Sequence, residues 1–388
     1  MPPLDVDAAL ARDLAASLRH REAEFGLRPL DHDSRSPSRS PLDERIPALD
    51  GIRGVAVLLV VLVHTGLLAW GWIGVDLFFA LSGFLITGIL LEAKAAGGAG
   101  WDDYFKPFYL RRALRILPLA YAAMLIVLPF APIVGLGTPA PTREVMWFVA
   151  YVSNWRIWPR GSASWQLNHF WSLAVEEQFY LLWPLVVSVL DARRLRYVCA
   201  IFLIAAPALR CVVAVLGYST SYGHLFENIT PLRMDALAAG SLLAALRYTG
   251  DFDLWAKRAP LGLAAGAIGF AAVQRSSAAL SYVGRYTALA LLFGSVILLA
   301  RGYPDARIVR LFNAKWLRRL GTVSYCIYVV HLPVANWFRK ENVGAMQNFL
   351  ATISIAVAIA SVSWYAFERP LLSLKRYWPL PHRARADY

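Results

Sequence analysis

Apolar residues in this chain come in blocks of about 16 to 22, such as "IRGVAVLLVVLVHTGLLAWG" and "GVDLFFALSGFLITGILL". That is the length a helix needs to cross a hydrocarbon core. A water-soluble core would instead leave alternating apolar and polar faces. Composition agrees: 58% of the 388 residues are hydrophobic, 17% are charged, and the mean hydropathy is +0.47. The expected fold class is all-α, a polytopic membrane helical bundle of about ten transmembrane helices. The expected spans lie near 51–70, 74–91, 113–131, 169–190, 197–217, 232–247, 260–274, 284–300, 320–338 and 348–368.

A net charge of +13 raises the question of a nucleic-acid partner, and its distribution answers it. With the N-terminus inside, the cytoplasmic connections and tail hold 22 Lys and Arg, whereas the outer connections hold 7. This asymmetry is what orients membrane helices. It puts both termini in the cytoplasm, locates the chain in the cell membrane and leaves no charge that calls for nucleic acid. "TREVMWFVAYVSNWRIWPRG" (142–161) is too short to span and rich in aromatics, so it reads as an outer re-entrant or interfacial segment. The three cysteines, Cys199, Cys211 and Cys326, all fall in expected spans without a CxxC, so neither a disulfide framework nor a metal site is indicated.

Three regions follow: a cytoplasmic N-terminal tail over 1–46, a membrane domain over 47–370 and a basic cytoplasmic C-terminal tail over 371–388. In the first, Val6, Leu10, Leu14 and Leu18 predict a short amphipathic helix, and "SRSPSRSP" predicts a flexible linker. No apolar stretch of signal-peptide type precedes the first span.

The first span carries two ionisable groups. Arg53 and His64, eleven residues apart, lie on one helix face about 16 Å apart along the axis. An ionisable side chain inside a span is costly, so it faces a partner or a wet cavity. Asp76, early in the next span, returns to the depth of His64 and is expected to orient its imidazole, although N-capping would also account for it. Glu176 and Glu177 sit two turns into the fourth span and point about 100° apart, with Tyr180 one turn below Glu176. Arg233 opens the sixth span, and His331 lies at the depth of His64 in the ninth. Arg111, Arg112 and Arg115 cluster at the foot of the third span, which suits positive-inside anchoring or phosphate binding. Proton transfer, ion coupling and acyl transfer all remain open on these residues alone.

The motifs "LDGIRGVAVLLVVLVH", "GVDLFFALSGF", "RRALRILP", "HFWSLAVEEQFYLLWP", "RMDALAAG", "SYCIYVVHLPV" and "FERP" resemble, in order, those of the integral-membrane acyltransferase-3 family. The resemblance runs from 49 to 370. It implies transfer of an acyl group, most often acetyl, from acyl-CoA to a hydroxyl of a carbohydrate or glycosylated acceptor, with no permanently bound cofactor. It implies His64 as base or transient acyl carrier, with Glu176, Asp76 and Arg53 completing the catalytic set. Arg111, Arg112, Arg115 and Arg53 would hold the donor phosphates. Arg233, Glu177, Trp171, Tyr180 and His331 would line the acceptor side. Larger members append a soluble hydrolase-like domain, and a chain ending at Tyr388 is expected to work without one. A proton-coupled transporter is the competing class, since buried His, Asp and Glu also build proton relays.

Overall fold

The computed structural model describes residues 46–156, 163–217 and 228–381. The expected helix at 5–24 and the linker at 34–41 lie outside the described residues. Every regular element among them is helical. Helix α1 covers Pro47–His64 and α2 Ile73–Ala95; a π turn at Trp101–Phe105 leads into α3, Lys106–Ile133. After the short α4, Thr142–Val149, come α5 at Phe170–Val189 and α6 at Ala192–Val215. Then follow α7 at Met234–Tyr248, α8 at Phe252–Gln274, α9 at Ala278–Gly302 and the short α10 at Arg307–Phe312. The series closes with α11 at Lys315–Lys340, α12 at Ala345–Ser363, a second π turn at Trp364–Glu368 and α13 at Arg369–Ser373.

Each expected span overlaps one helix, yet the helices are not equivalent. Among the described residues, six stretches are long and apolar enough to cross a membrane: Pro47–His64, Ile73–Ala95, Trp101–Ile133, Ala192–Val215, Ala278–Gly302 and Ala345–Tyr377. The chain is thus a multi-pass membrane protein. Helix α7 is only 15 residues long, and twelve of them are buried, so it is an internal strut rather than a lipid-facing span. Its Ala and Gly content follows from that position, because small side chains let α2 approach closely. A Cβ on Gly240 would lie 2.0 Å from the Ala80 carbonyl oxygen. Helix α6 is the opposite case, presenting Ile201, Ile204, Val212 and Val215 outward as lipid contacts.

Helices α1 and α11 cross closely at a glycine. A Cβ on Gly321 would fall 1.7 Å from the Asp50 carbonyl oxygen, so only glycine fits there. This contact sets the separation of the two helices that carry His64 and His331. Prolines inside α3, α5, α6, α8 and α11 are tolerated because neighbouring groups in a membrane bundle take up the freed backbone partners. In the α5–α6 connection, Asp191 accepts from the Arg194 backbone N–H at 2.8 Å, which holds its carboxyl below the ordinary range.

Of the 142–161 segment, residues 157–161 lie outside the described residues; its helix α4 has only eight residues, and Tyr121 of α3 donates to the Val149 carbonyl at its end. The expected C-terminal tail is, as far as residue 381, a packed segment. Leu380 is buried, and Arg111 donates to the carbonyls of Lys375 and Trp378 at 3.3 and 3.4 Å.

Candidate active site

Helical periods bring polar groups from five helices around one cavity of about 650 Å³, counting its open mouth. Ser172, Glu176 and Tyr180 recur every four residues and form one stripe of α5. Ser82 faces them from α2, Arg53 from α1, Arg112 and Arg115 from α3, and Ser324, Tyr325 and Tyr328 from α11. Ser82 donates to Glu176 Oε1 at 2.5 Å and accepts from the Tyr180 hydroxyl at 3.0 Å. The Arg112 guanidinium lies over the rings of Tyr180 and Phe108, 5.7 and 6.0 Å from their centroids. Arg115 is 3.9 Å from Glu368, which the π turn at Trp364–Glu368 swings toward it. One end of the cavity is therefore cationic, and its waist holds a carboxylate wired to two hydroxyls.

The opposite end meets a group of histidines. His64 Nδ1 is 2.8 Å from the Val60 carbonyl and 3.2 Å from Nε2 of His331, whose own Nδ1 is 2.6 Å from the Tyr328 carbonyl. A carbonyl only accepts, so His331 carries its proton on Nδ1, and its Nε2 is a lone pair aimed at His64. That assigns the His64 proton to Nδ1 as well, since both neighbours of this nitrogen are acceptors. The His64 lone pair is then on Nε2. His169 adds a third ring, its centroid 5.0 Å from that of His331, with Nε2 3.1 Å from the Val329 carbonyl. Among the described residues, no group of His, Cys, Asp and Glu converges as a metal site would. Arg339 donates to the His64 carbonyl, satisfying a helix-end oxygen that has no partner within α1.

Several expected placements are corrected. Asp76 does not orient the His64 imidazole: its Oδ1 accepts from Arg233 at 2.9 Å, and the two are 1% and 3% exposed. Equal depth in the membrane set the height of Asp76 but not its azimuth. Arg233 therefore does not face the cavity; its guanidinium lies 3.7 Å from the Tyr286 ring centroid and 5.2 Å from that of Trp171. Trp171 is taken up by this cation, and Glu177 points away from Glu176 with its Oε1 buried and unbonded. His331 is fully buried, its ring centroid 4.9 Å from that of His64 and 5.5 Å from that of Tyr328, and it does not line this cavity. His64 itself is not part of the cavity lining. Ser172 and Tyr328 stand between, their hydroxyls 2.5 Å apart and both within reach of the His169 carbonyl, so one donates to that carbonyl and the other donates to its neighbour's oxygen.

Sequence reasoning missed Ser82, Ser172, Tyr328 and His169. The four-residue spacing of Ser172 and Tyr180 about Glu176 was the available signal for one of them. It also missed Arg210, fully buried in α6, which donates to Asp235 and Thr287, both at 2.8 Å, and to two carbonyls.

The bundle with a cationic mouth and a buried imidazole pair has relatives. The acyltransferase domain model of the acyltransferase-3 family matches residues 46–368, and the chain belongs to that family. It is 29% identical over 322 residues to the peptidoglycan O-acetyltransferase OatA of Listeria monocytogenes, covering 74% of this chain and 49% of that protein. It is 25% identical over 357 residues to the O-acetyltransferase OatA of Staphylococcus aureus, covering 84% of this chain and 57% of that protein. The chain thus spans about half the length of these curated relatives. No solved structure gives a significant match.

Proposed function

We propose that this chain is a membrane O-acyltransferase that moves an acyl group, acetyl first among candidates, from acyl-CoA to a carbohydrate hydroxyl. The name of the Listeria monocytogenes relative points to a peptidoglycan-like glycan as the acceptor class. Residues 47–370 form the acyltransferase membrane domain in this reading. Its arginine end is cytoplasmic, as the basic-residue asymmetry favours. Donor phosphates bind near Arg53, Arg112 and Arg115, and the pantetheine arm follows the cavity toward Ser172 and Tyr328.

The observation that carries the chemistry is the tautomer lock on His64. With its proton held on Nδ1 by the Val60 carbonyl and His331, Nε2 is the basic nitrogen. As a base, Nε2 takes the acceptor's hydroxyl proton while the oxygen attacks the thioester carbonyl. The tetrahedral intermediate then collapses, the C–S bond breaks, and the thiolate recovers the proton from the imidazolium. Alternatively, Nε2 attacks the thioester and expels the CoA thiolate, and the acyl group then passes to the hydroxyl oxygen as the imidazole leaves and the hydroxyl proton goes to the thiolate. Either route requires the Tyr328 ring to swing out of its hydrogen bonds to Ser172 and the His169 carbonyl, joining the cavity to His64. Glu176, held by Ser82, orients groups in the cavity rather than the imidazole.

Membrane vesicles carrying wild type or His64→Ala, supplied with acetyl-labelled acetyl-CoA, test this. The variant keeps the backbone carbonyl that Arg339 clamps. The expected result is loss of label transfer with unchanged elution on gel filtration. Wild-type transfer by the folded variant overturns the assignment. Solute flux without CoA release would instead favour the transporter class, which the relatives' names do not support.

A further inference from the structure

We infer that the segment following the last long helix builds a second phosphate-binding site at the arginine foot, with Lys375 as its new cation. The inference rests on the donor reading above. A second cavity of about 510 Å³ adjoins the first and shares Arg112 with it. Its cations are Arg111, Arg112 and Lys375, Glu92 is its one carboxylate, and Phe108, Leu380 and Pro381 supply apolar walls. Lys375 lies beyond the family match, which ends at residue 368. The segment is fixed rather than draped, because Arg111 donates to two of its carbonyls and Leu380 is buried.

Charge is what points to an anion. Lys375 lies within electrostatic reach of Arg53, Arg111, Arg112 and Arg115. Its ammonium makes no hydrogen bond or ion pair with any described residue. Four carboxylates, Glu92, Glu176, Glu177 and Glu368, stand near these five cations, so positive charge is left in surplus. Cations held this close repel one another until a polyanion sits among them. Two cavities divided by one arginine suit a ligand with phosphates at two separate places. A pyrophosphate would lie against Arg53, Arg112 and Arg115, and a phosphomonoester against Arg111 and Lys375. The apolar walls of the second cavity suit a purine face. A nucleotide donor with a phosphate on its ribose meets this description, and an anionic lipid headgroup offers the same phosphate chemistry from the bilayer.

The test compares wild type, Lys375→Gln and Lys375→Arg, purified in nanodiscs of zwitterionic lipid. Adenosine 3′,5′-bisphosphate binding is measured first, since it needs no turnover. Loss of a charge-assisted contact is expected to weaken binding about tenfold in the Gln variant and little in the Arg variant. With acetyl-CoA, KM should rise in Lys375→Gln at unchanged kcat, while 3′-dephospho-acetyl-CoA should not distinguish the variants. Equal behaviour of wild type and Lys375→Gln in zwitterionic and phosphatidylglycerol nanodiscs alike, or an equal KM rise with both donors, overturns the site. An effect of Lys375→Gln that emerges only in phosphatidylglycerol nanodiscs supports the phosphate site and assigns it to lipid. Bisphosphate binding that depends on Lys375 without acetyl-CoA turnover would leave the site standing and remove the donor reading.

Discussion

Replacing Gly321 by alanine adds one methyl group where α11 crosses α1. The new Cβ would lie 1.7 Å from the Asp50 carbonyl oxygen. An ordinary carbon–oxygen contact is about 3.3 Å, so the two backbones must part by about 1.6 Å. The same two helices hold His64 and His331 at 3.2 Å, and a parting of that size takes the pair beyond hydrogen-bonding range. Misplacement of a reacting group by about 1 Å can cost about 10²-fold in rate. Overpacking of this kind costs about 1–3 kcal/mol of stability. Gly88→Ala is the matched control, since nothing lies within 4 Å of its added Cβ. There alanine should be neutral or stabilising by about 0.5–1 kcal/mol. Acetyl transfer and thermal melting in detergent are measured on both variants. Gly321→Ala that melts like wild type and transfers at the wild-type rate would refute the link between this crossing and the imidazole pair.

Two further outcomes are expected. His331→Ala should lower transfer on the order of 10–100-fold, the range for removing a group that orients an imidazole. The double variant with His64→Ala should be no worse than His64→Ala alone, because the two act as a unit. Arg210→Met leaves Asp235, 1% exposed, without its counterion and should destabilise by about 3–5 kcal/mol. Adding Asp235→Leu should restore much of that loss, as read by melting temperature.

The long helices were legible because lipid demands unbroken apolar runs, and α1, α2 and α9 show them plainly. Helix α7 was legible as a helix but not as an internal strut, since its burial depends on which neighbours surround it. The 100° between Glu176 and Glu177 follows from helical period alone, and that one carboxylate meets Ser82 is a fact of packing. Depth arguments brought His64 level with His331, which the structure places in contact, and level with Asp76, which pairs elsewhere. Arg210, His169, Tyr328 and Lys375 gave no periodic or motif signal strong enough to single them out. Their contacts come from groups far along the chain, from the 22-residue separation of Arg210 and Leu232 to the 264-residue separation of Arg111 and the Lys375 carbonyl.

A protein that opens a wet chamber deep into a bilayer risks short-circuiting the membrane that houses it. The hydroxyls of Ser172 and Tyr328, tied to each other and to one backbone oxygen, form a layer between the arginine-lined chamber and the imidazoles. The chamber that Arg53 lines is walled by the Tyr328 phenol and by no histidine. In the proposed reaction the barrier need part only once per turnover, for a thioester, so the cell's ion gradients survive each transfer.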